Sequence, residues 1–334
     1  MVRHQRLLAL SSSYFFRAPS MQTSRNIGIL LAFTCLLILG IMPLLSNSRP
    51  QGSDGLSFAI WLTFWQLAAA LPLFLFEYIT RKIHPSAKNR PNPTLKTGAI
   101  ALISGCFFGL ATYIYVVAAE KAGAVNFIVA LQAYPLTALL AEAVFLGRRK
   151  SLLEVAFTCL TVMALVYLLT GGTFMLKEAS PWTALALLVP VLWTVAHLLL
   201  RQVLVAAQVT PSQVTVSRLV VSGLFLLALQ ALAGKDGALL LGLENPTFIL
   251  AAVSLGIAYY AELLLWFYAM RHIDVSLGSS ITVPAPAVTM LVSAMLLKQP
   301  VQAYQIITML VASAGIYGLL LAGKKRENAE RRKS

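Results

Sequence analysis

The sequence predicts an all-α integral membrane protein in which ten transmembrane helices form two inverted five-helix repeats. Three observations support this fold class. Of 334 residues, 58% are hydrophobic and 11% are charged, a composition far outside the range of soluble domains. Apolar stretches of about 20 residues recur, each long enough as a helix to cross a hydrocarbon layer of roughly 30 Å. The two halves of the chain also resemble each other at a displacement of 151 residues.

The apolar stretches are continuously hydrophobic, whereas the strands of a membrane barrel alternate apolar and polar residues. Because the bilayer core offers no water to peptide groups, each spanning segment has to satisfy its own backbone hydrogen bonds, as a helix does. The predicted spans are residues 26–45, 56–79, 97–119, 124–146, 152–170, 181–200, 214–233, 247–270, 275–297 and 302–322.

A net charge of +14 is compatible with nucleic-acid binding until the positions of the basic residues are considered. With a cytoplasmic N-terminus, most Lys and Arg residues fall in cytoplasmic segments, as the positive-inside rule requires. The loops on the other side contain only Arg49, Lys121, Lys177, Lys235 and Lys298. The sequence therefore predicts a multi-pass protein of the cell (inner) membrane with both termini in the cytoplasm, and no nucleic-acid partner.

The chain divides at the ends of the apolar segments. Residues 1–25 are basic and Ser-rich, and we expect a disordered cytoplasmic extension there, with a targeting peptide as the alternative and Met21 as an alternative start. Residues 26–172 form the predicted first repeat and residues 173–323 the second. Residues 324–334 form a basic cytoplasmic tail.

The internal repeat is clearest in two segments, "AAEKAGAVNFIVALQAYPLTALLAEAVFLGRRK" from Ala118 and "AMRHIDVSLGSSITVPAPAVTMLVSAMLLKQPV" from Ala269. In this register Pro135 aligns with Pro286. Five spans in each repeat is an odd number, so the second copy enters the membrane with the opposite orientation. Inverted repeats typically place a binding site near the midplane, where rocking of one half against the other exposes the site to each side in turn.

These two segments resemble the signatures of the drug/metabolite transporter superfamily in its ten-helix, EamA-type branch, and the resemblance covers nearly the whole chain. The chain has Gly147-Arg148 and Lys298-Gln299 where family members usually have Gly-Glu. Arg218 matches an Arg that the family often carries in the second helix of a half, and Gln66 occupies the equivalent place in the first half. The resemblance implies a secondary transporter of small organic metabolites such as amino acids, amines or drug-like solutes.

Glu262 lies inside the apolar run "YYAELLLWFYAMRH". A carboxylate at membrane depth is costly, so it usually faces a partner or a cavity. Arg218 is predicted at a similar depth, about 10 Å from the cytoplasmic side. Two interpretations remain open: a buried ion pair that fixes helix packing, or a cavity-lining acid that holds a cationic group or exchanges a proton.

Helical spacing places Tyr259, Glu262 and Trp266 on one face of the eighth span. Their counterparts 151 residues earlier are Phe108, Ala111 and Tyr115. If these faces meet across the pseudo-twofold axis, they form an aromatic-walled pocket with one acid, suited to an organic cation or an amphiphilic metabolite. The alternative is that the rings only fill the bundle.

Prolines within predicted spans mark helix breaks. Pro135, Pro284 and Pro286 each remove an amide donor, which is tolerated in a membrane where protein or a water-filled cavity satisfies the freed carbonyl. Gln132 and Thr282, next to these breaks, are candidate substrate-binding residues. Simple kinks without ligand contact are the alternative.

Motifs of other functional classes are missing from the sequence. It has no "GxxxxGK" or "GxGxxG" pattern, no His/Cys cluster with metal-ligand spacing and no acidic pair for magnesium, so we predict no enzyme, no catalytic residue, no metal and no cofactor. The rival is an integral-membrane enzyme acting on lipid, which needs at least two polar catalytic groups at one interface. His197 could join a proton relay or be only hydrogen-bonded. The expected partners are a small-molecule substrate and the bilayer, for a monomer or homodimer.

Overall fold

A computed structural model describes residues 21–83, 95–146, 151–205, 211–234, 236–269, 272–273, 278 and 281–331. Eight helices among these residues are long and apolar enough to span a membrane, and two shorter apolar helices begin at Ala124 and Ala285. The helices are α1 (Met21–Asn47), α2 (Gly55–Ile83), α3 (Leu95–Ala122), α4 (Ala124–Leu131), α5 (Ala133–Leu146), α6 (Leu152–Leu169), α7 (Pro181–Val205), α8 (Pro211–Leu232), α9 (Asp236–Leu241), α10 (Pro246–Ala269), α11 (Ala285–Met295) and α12 (Ala303–Arg331).

The structure differs from the sequence prediction within the fourth span, which is two helices rather than one. α4 ends at Leu131, and α5 begins at Ala133 with Pro135 in its first turn. Proline lacks an amide hydrogen, and its ring would collide with the carbonyl of Leu131 in a continuous helix. In the ninth span the described helix α11 begins directly after Pro284, with Pro286 in its first turn.

The ends of the chain also differ from the predicted boundaries. α1 already begins at Met21, inside the segment 1–25 that was expected to be disordered, and residues 1–20 lie outside the described residues. α12 continues through the basic tail to Arg331. The short helix α9, in the loop between α8 and α10, was not predicted.

The packing follows the internal repeat. A shift of 151 residues, the separation between Gln132 and Val283, carries the start of α3 at Leu95 onto the start of α10 at Pro246. It likewise carries Leu152 of α6 onto Ala303 of α12. α3 packs extensively against α7, and the equivalent pair is α10 with α1; α2 packs against its own counterpart α8, and α6 against α12. Each half therefore interlocks with the other around a pseudo-twofold axis.

The pseudo-twofold axis passes through the broken spans. The side-chain amide of Gln132, at the break between α4 and α5, donates to the carbonyl oxygen of Val283, its own repeat equivalent, at 3.0 Å. It also donates to Ser313 Oγ of α12 at 3.0 Å. A direct contact between equivalent residues is expected only at the axis. The two breaks therefore face each other in the interior.

With the ten crossings that the sequence predicts, the chain ends on the side on which it started, here called the terminal side. Arg49 lies on the opposite side, in the loop after α1, and its buried side chain forms an ion pair with Glu120 near the end of α3. Its guanidinium also donates to the carbonyl of Ser46 at 3.1 Å and lies 5.0 Å from the centre of the Phe58 ring. This cluster ties the α1–α2 loop to α3.

Contacts between the two halves also occur on the opposite side. Asn126, in the first turn of α4, accepts hydrogen bonds through its Oδ1 from Tyr304 Oη at 3.1 Å and from Gln305 Nε2 at 2.7 Å. Both donors lie in the first turn of α12. We call these three residues the opposite-side latch, because they join the first repeat to the second at that side of the bundle.

Candidate functional site

Glu262 lies in the middle of the bundle, where residues of several helices surround it. Its carboxylate interacts electrostatically with Arg218 of α8, and with Tyr115 of α3 and Tyr134 of α5. Its backbone carbonyl accepts a long contact of 3.5 Å from the thiol of Cys35 in α1. Glu262 is nevertheless partly exposed. Glu262 is therefore a partly exposed carboxylate with neighbours on four other helices.

Arg218 is the cation nearest to this acid among the interactions of the described residues. Its side chain is 7% exposed, and its guanidinium lies over the Phe108 ring at 4.3 Å from the centroid. Nε makes no hydrogen bond. No ion pair joins Arg218 to Glu262 in the described part of the chain. The two charges that the sequence placed at similar depths are thus near each other without being paired.

One ring of α3 contacts one ring of α10. The rings of Tyr115 and Tyr259 have centroids 5.7 Å apart, and Tyr115 also contacts Phe127 of α4 edge-on at 4.5 Å. Tyr115 is almost fully buried, whereas Tyr259 is partly exposed. These rings therefore close the bundle core on one flank of Glu262. Trp266, one turn further along α10, is also partly exposed.

A second group of rings joins the predicted Phe108 and His197 to Tyr134 and Trp193, which were not predicted as part of the site. His197 of α7 contacts the Phe108 ring at 5.2 Å, and its Nδ1 shares a hydrogen bond with Tyr134 Oη at 3.0 Å. Tyr134 also contacts Trp193, one turn earlier on α7, with centroids 6.2 Å apart. His197 is exposed despite these neighbours in α3 and α5. We call Phe108, Tyr134, Trp193 and His197 the α7 wall.

Sequence reasoning missed Tyr134 because its direction depends on the break at Gln132. Helical spacing predicts directions only within a continuous helix, and the fourth span is not continuous. Trp193 was missed because its partner in the contact is Tyr134. The only sequence signal was the dipeptide Tyr134-Pro135, which places a polar aromatic side chain at the start of a new helix.

The remaining predicted residues occupy different places. Gln132 lies on the pseudo-twofold axis, and its Oε1 makes no hydrogen bond. Gln66 is buried where α2 crosses α10, next to Gly256. None of the interactions within the described residues joins Gln66 to Glu262. Thr282 is partly exposed at the second break, beside Pro284.

No group of three or more His, Cys, Asp or Glu side chains among the described residues is arranged to hold a metal ion. What the site offers is one guanidinium, one carboxylate and two flanks of aromatic rings. Such a site can bind and orient a small molecule by charge and by ring contact.

The chain was compared with known proteins. The model of the EamA-like transporter family matches residues 26–170 and 180–321. No curated protein matches the chain. A solved structure titled only "Crystal structure of protein" is similar over 89% of this chain and 99% of its own, with a TM-score of 0.56 and 21% sequence identity. That similarity shows the fold alone.

Proposed function

Since the chain belongs to the EamA-like transporter family, we propose that it is a secondary transporter that moves a small organic metabolite by alternating access. Members of this family carry solutes across a membrane and are not enzymes. The proposal adds the substrate class, the alternating-access cycle and coupling to protons through Glu262.

The observation that carries the proposal is the position of the unpaired charges. Glu262 and Arg218 lie between interlocked inverted halves, and their charges interact without forming an ion pair. Inverted-repeat transporters bind their substrates at such a midplane position, where relative motion of the halves exposes the site to each side. In this proposal the substrate path is lined by the α7 wall and by the predicted binding residues Glu262, Tyr259, Trp266, Phe108, Tyr115 and Arg218.

The hydrogen bonds between the two halves favour a state of the transport cycle in which the opposite side is closed. The opposite-side latch joins α4 to α12 through two hydrogen bonds, and it lies away from the exposed His197. In the proposed cycle these bonds break when the site opens to the opposite side. With both termini in the cytoplasm, the opposite side faces the cell exterior.

The experiment is uptake by proteoliposomes from a panel of metabolites, followed by mass spectrometry of the lumenal contents. We expect at least one compound to enter faster than in protein-free liposomes, with saturation and with unchanged mass. Entry of chemically altered compounds would favour the rival membrane enzyme. If no compound of a panel covering amino acids, amines and organic acids enters faster than in the control, the proposed function is wrong.

A further inference from the structure

The loop between α6 and α7 exposes three consecutive apolar side chains. Phe174, Met175 and Leu176 are 53%, 51% and 78% exposed, and we call them the apolar tip. The loop joins the two repeats, and residues 171–179 lie between the two stretches that match the transporter family. The transport function of the family therefore does not account for these side chains. Contiguous apolar surface is unfavourable in water, so the apolar tip needs a partner.

The loop is a compact structure whose ends are tied together. At its base the amide of Ser180 donates to the carbonyl of Leu169 at 2.9 Å. The hydroxyl of the buried Thr170 accepts a hydrogen bond from the amide of Phe174, also at 2.9 Å. Amides that are satisfied within the protein do not need water, and backbone that enters the edge of a bilayer has to meet this condition.

Phe174 is turned back along α6. Its φ of 59° lies in the left-handed region, which residues other than glycine adopt at a cost. In this conformation its ring packs on the ring of Tyr167, with centroids 5.0 Å apart. Tyr167 lies two residues before the end of α6 at Leu169, which is about 3 Å inside the end of the helix. The apolar tip is therefore held beside the last turn of a predicted membrane span.

The apolar tip continues a lipid-facing surface of α6. Leu160, Met163 and Tyr167 are separated by three and four positions and so share one face of the helix. Leu160 is 36% exposed and Met163 58% exposed within a candidate membrane span, so this face is directed at lipid. Phe174 packs on the last residue of that face and extends the same surface to the end of the span.

The residues that follow the apolar tip have the chemistry of a membrane surface. Lys177 and Glu178 come directly after it and are exposed. A lysine at this level can bind a lipid phosphate while its hydrocarbon stem lies against the apolar layer. Trp182, in the first turn of α7, is 40% exposed, and tryptophan is enriched where membrane proteins cross the headgroup region.

The α1–α2 loop, on the same side in the predicted topology, has a different character. Residues 48–54 read "SRPQGSD" and include no large apolar side chain. The apolar tip is therefore not a general property of that side. A second copy of the chain is the other candidate partner, but each partner of a stable complex typically buries about 800 Å². Three side chains of one loop offer much less surface, which favours lipid.

We propose that residues 171–179 form a membrane-surface anchor, in which the apolar tip inserts between the headgroups and the acyl chains of the leaflet on the opposite side. The anchor fixes the connection between the two repeats at the surface of the bilayer. Its base lies against the opposite-side latch, because a Cβ at Gly172 would come within 2.8 Å of Tyr304 Cβ. The inference goes beyond the proposed transport function and does not depend on it.

The test measures the depth of a nitroxide spin label on the full-length protein in liposomes of phosphatidylcholine and phosphatidylglycerol. The label is attached to Met175→Cys in a protein whose three native cysteines are replaced by serine. Power saturation compares its accessibility to oxygen, which concentrates in lipid, with its accessibility to a nickel chelate, which stays in water. Gln51→Cys, in the α1–α2 loop, is the matched control for water, and Met163→Cys is the control for lipid.

We expect the ratio of oxygen to nickel accessibility at position 175 to be severalfold higher than at position 51 and to approach that at position 163. A ratio at position 175 equal to that at position 51 overturns the inference, because the apolar tip would then lie in water. Dipolar broadening between labels at position 175, with low accessibility to both reagents, would show contact between two copies and also overturn it.

A second variant tests whether the apolar tip itself holds the loop at the bilayer. With the label at Thr173→Cys, the triple substitution Phe174→Ser/Met175→Ser/Leu176→Ser should raise nickel accessibility severalfold in protein that elutes as the wild type does. Leu240→Ser, at another exposed apolar position, is the control and should leave it unchanged. Unchanged accessibility in the folded triple variant would show that the apolar side chains do not anchor the loop, and would overturn the inference.

Discussion

At the scale of single residues, the central feature is a guanidinium and a carboxylate whose charges interact although they form no ion pair. Counting residues from the ends of the spans placed Arg218 and Glu262 at similar depths, and the structure brings their charges within interaction range. The sequence could not show that Phe108, rather than Glu262, covers the guanidinium, because this depends on side-chain directions across three helices.

Proton coupling through Glu262 is tested by Glu262→Gln. Glutamine has nearly the same shape but cannot take up or release a proton, so a coupled transporter should lose the dependence of uptake on pH. Uptake by proteoliposomes is measured between about pH 5 and pH 8, with and without an imposed pH gradient. Glu244→Gln, at an exposed position, is the matched control.

The contradicting result is a Glu262→Gln protein whose uptake rate and pH dependence equal those of the wild type. Glu262 would then be neither a proton carrier nor a required substrate contact. Loss of uptake with unchanged pH dependence of the residual rate would keep Glu262 as a binding residue and remove the coupling.

The ion pair between Arg49 and Glu120 should stabilise the protein because Arg49 is almost fully buried. Burial lowers the pKa of Arg49, and the neighbouring Glu120 opposes that shift. Glu120→Leu leaves a buried cation without its partner, and we expect a loss of about 1–3 kcal/mol and a lower Tm in detergent. The double variant Arg49→Leu/Glu120→Leu should recover part of the loss. If the double variant is less stable than the single variant, the explanation is wrong.

At the scale of helices, close crossings hold the two halves together. Gly256 of α10 lies against α2, and a Cβ at this position would come within 2.8 Å of Trp65 Cβ and 3.1 Å of the carbonyl oxygen of Leu62. Its repeat equivalent Gly105 lies against α8 in the same manner, and Ser222 donates to the Gly105 carbonyl at 2.7 Å. Small residues therefore set the distance between α10 and α2 and between α3 and α8.

Substituting Gly256→Ala should lower stability, since overpacking at a close crossing typically costs about 1–3 kcal/mol. The matched control is Gly98→Ala in α3, where a Cβ would meet no atom within 4 Å. Thermal unfolding of both variants in the same detergent is the measurement. Equal Tm values for the two variants would show that the crossing tolerates a larger residue.

The helices also show where sequence reasoning succeeds and fails. Hydropathy located the long helices to within a few residues at most ends, for example Leu152–Leu169 for the predicted span 152–170. It could not locate the break at Gln132, because Pro135 allows a break anywhere in the preceding turn. That break directs Tyr134 toward His197, so the contact between these two residues could not be predicted either.

At the scale of the whole molecule, the internal repeat was the most informative part of the sequence. The register of 151 residues, read from two segments, reappears as the contact between Gln132 and Val283 and as equivalent helix pairs in both halves. Such a register is visible without a structure because duplicated halves keep the same spacing between apolar segments and prolines.

Both termini are expected on the cytoplasmic side, from the distribution of Lys and Arg. Single cysteines introduced at Ser334 and in the Arg49 loop at Ser53, in a protein lacking Cys35, Cys106 and Cys159, can be labelled in intact cells with a membrane-impermeant maleimide. We expect labelling at position 53 but not at position 334 until the cells are permeabilised. Labelling at position 334 but not at position 53 in intact cells would show the opposite topology. Labelling of both positions in intact cells would place them on the same side of the membrane, which rules out an even number of crossings.

Alternating access is tested most directly by fixing the opposite-side latch. Asn126→Cys and Gln305→Cys, in the same cysteine-free protein, replace side chains that are hydrogen-bonded at 2.7 Å between α4 and α12. A short cleavable thiol cross-linker should stop uptake by proteoliposomes, reduction should restore it, and each single cysteine variant should be insensitive. Undiminished uptake by fully cross-linked protein would show that the halves need not separate on that side, and would contradict transport by alternating access.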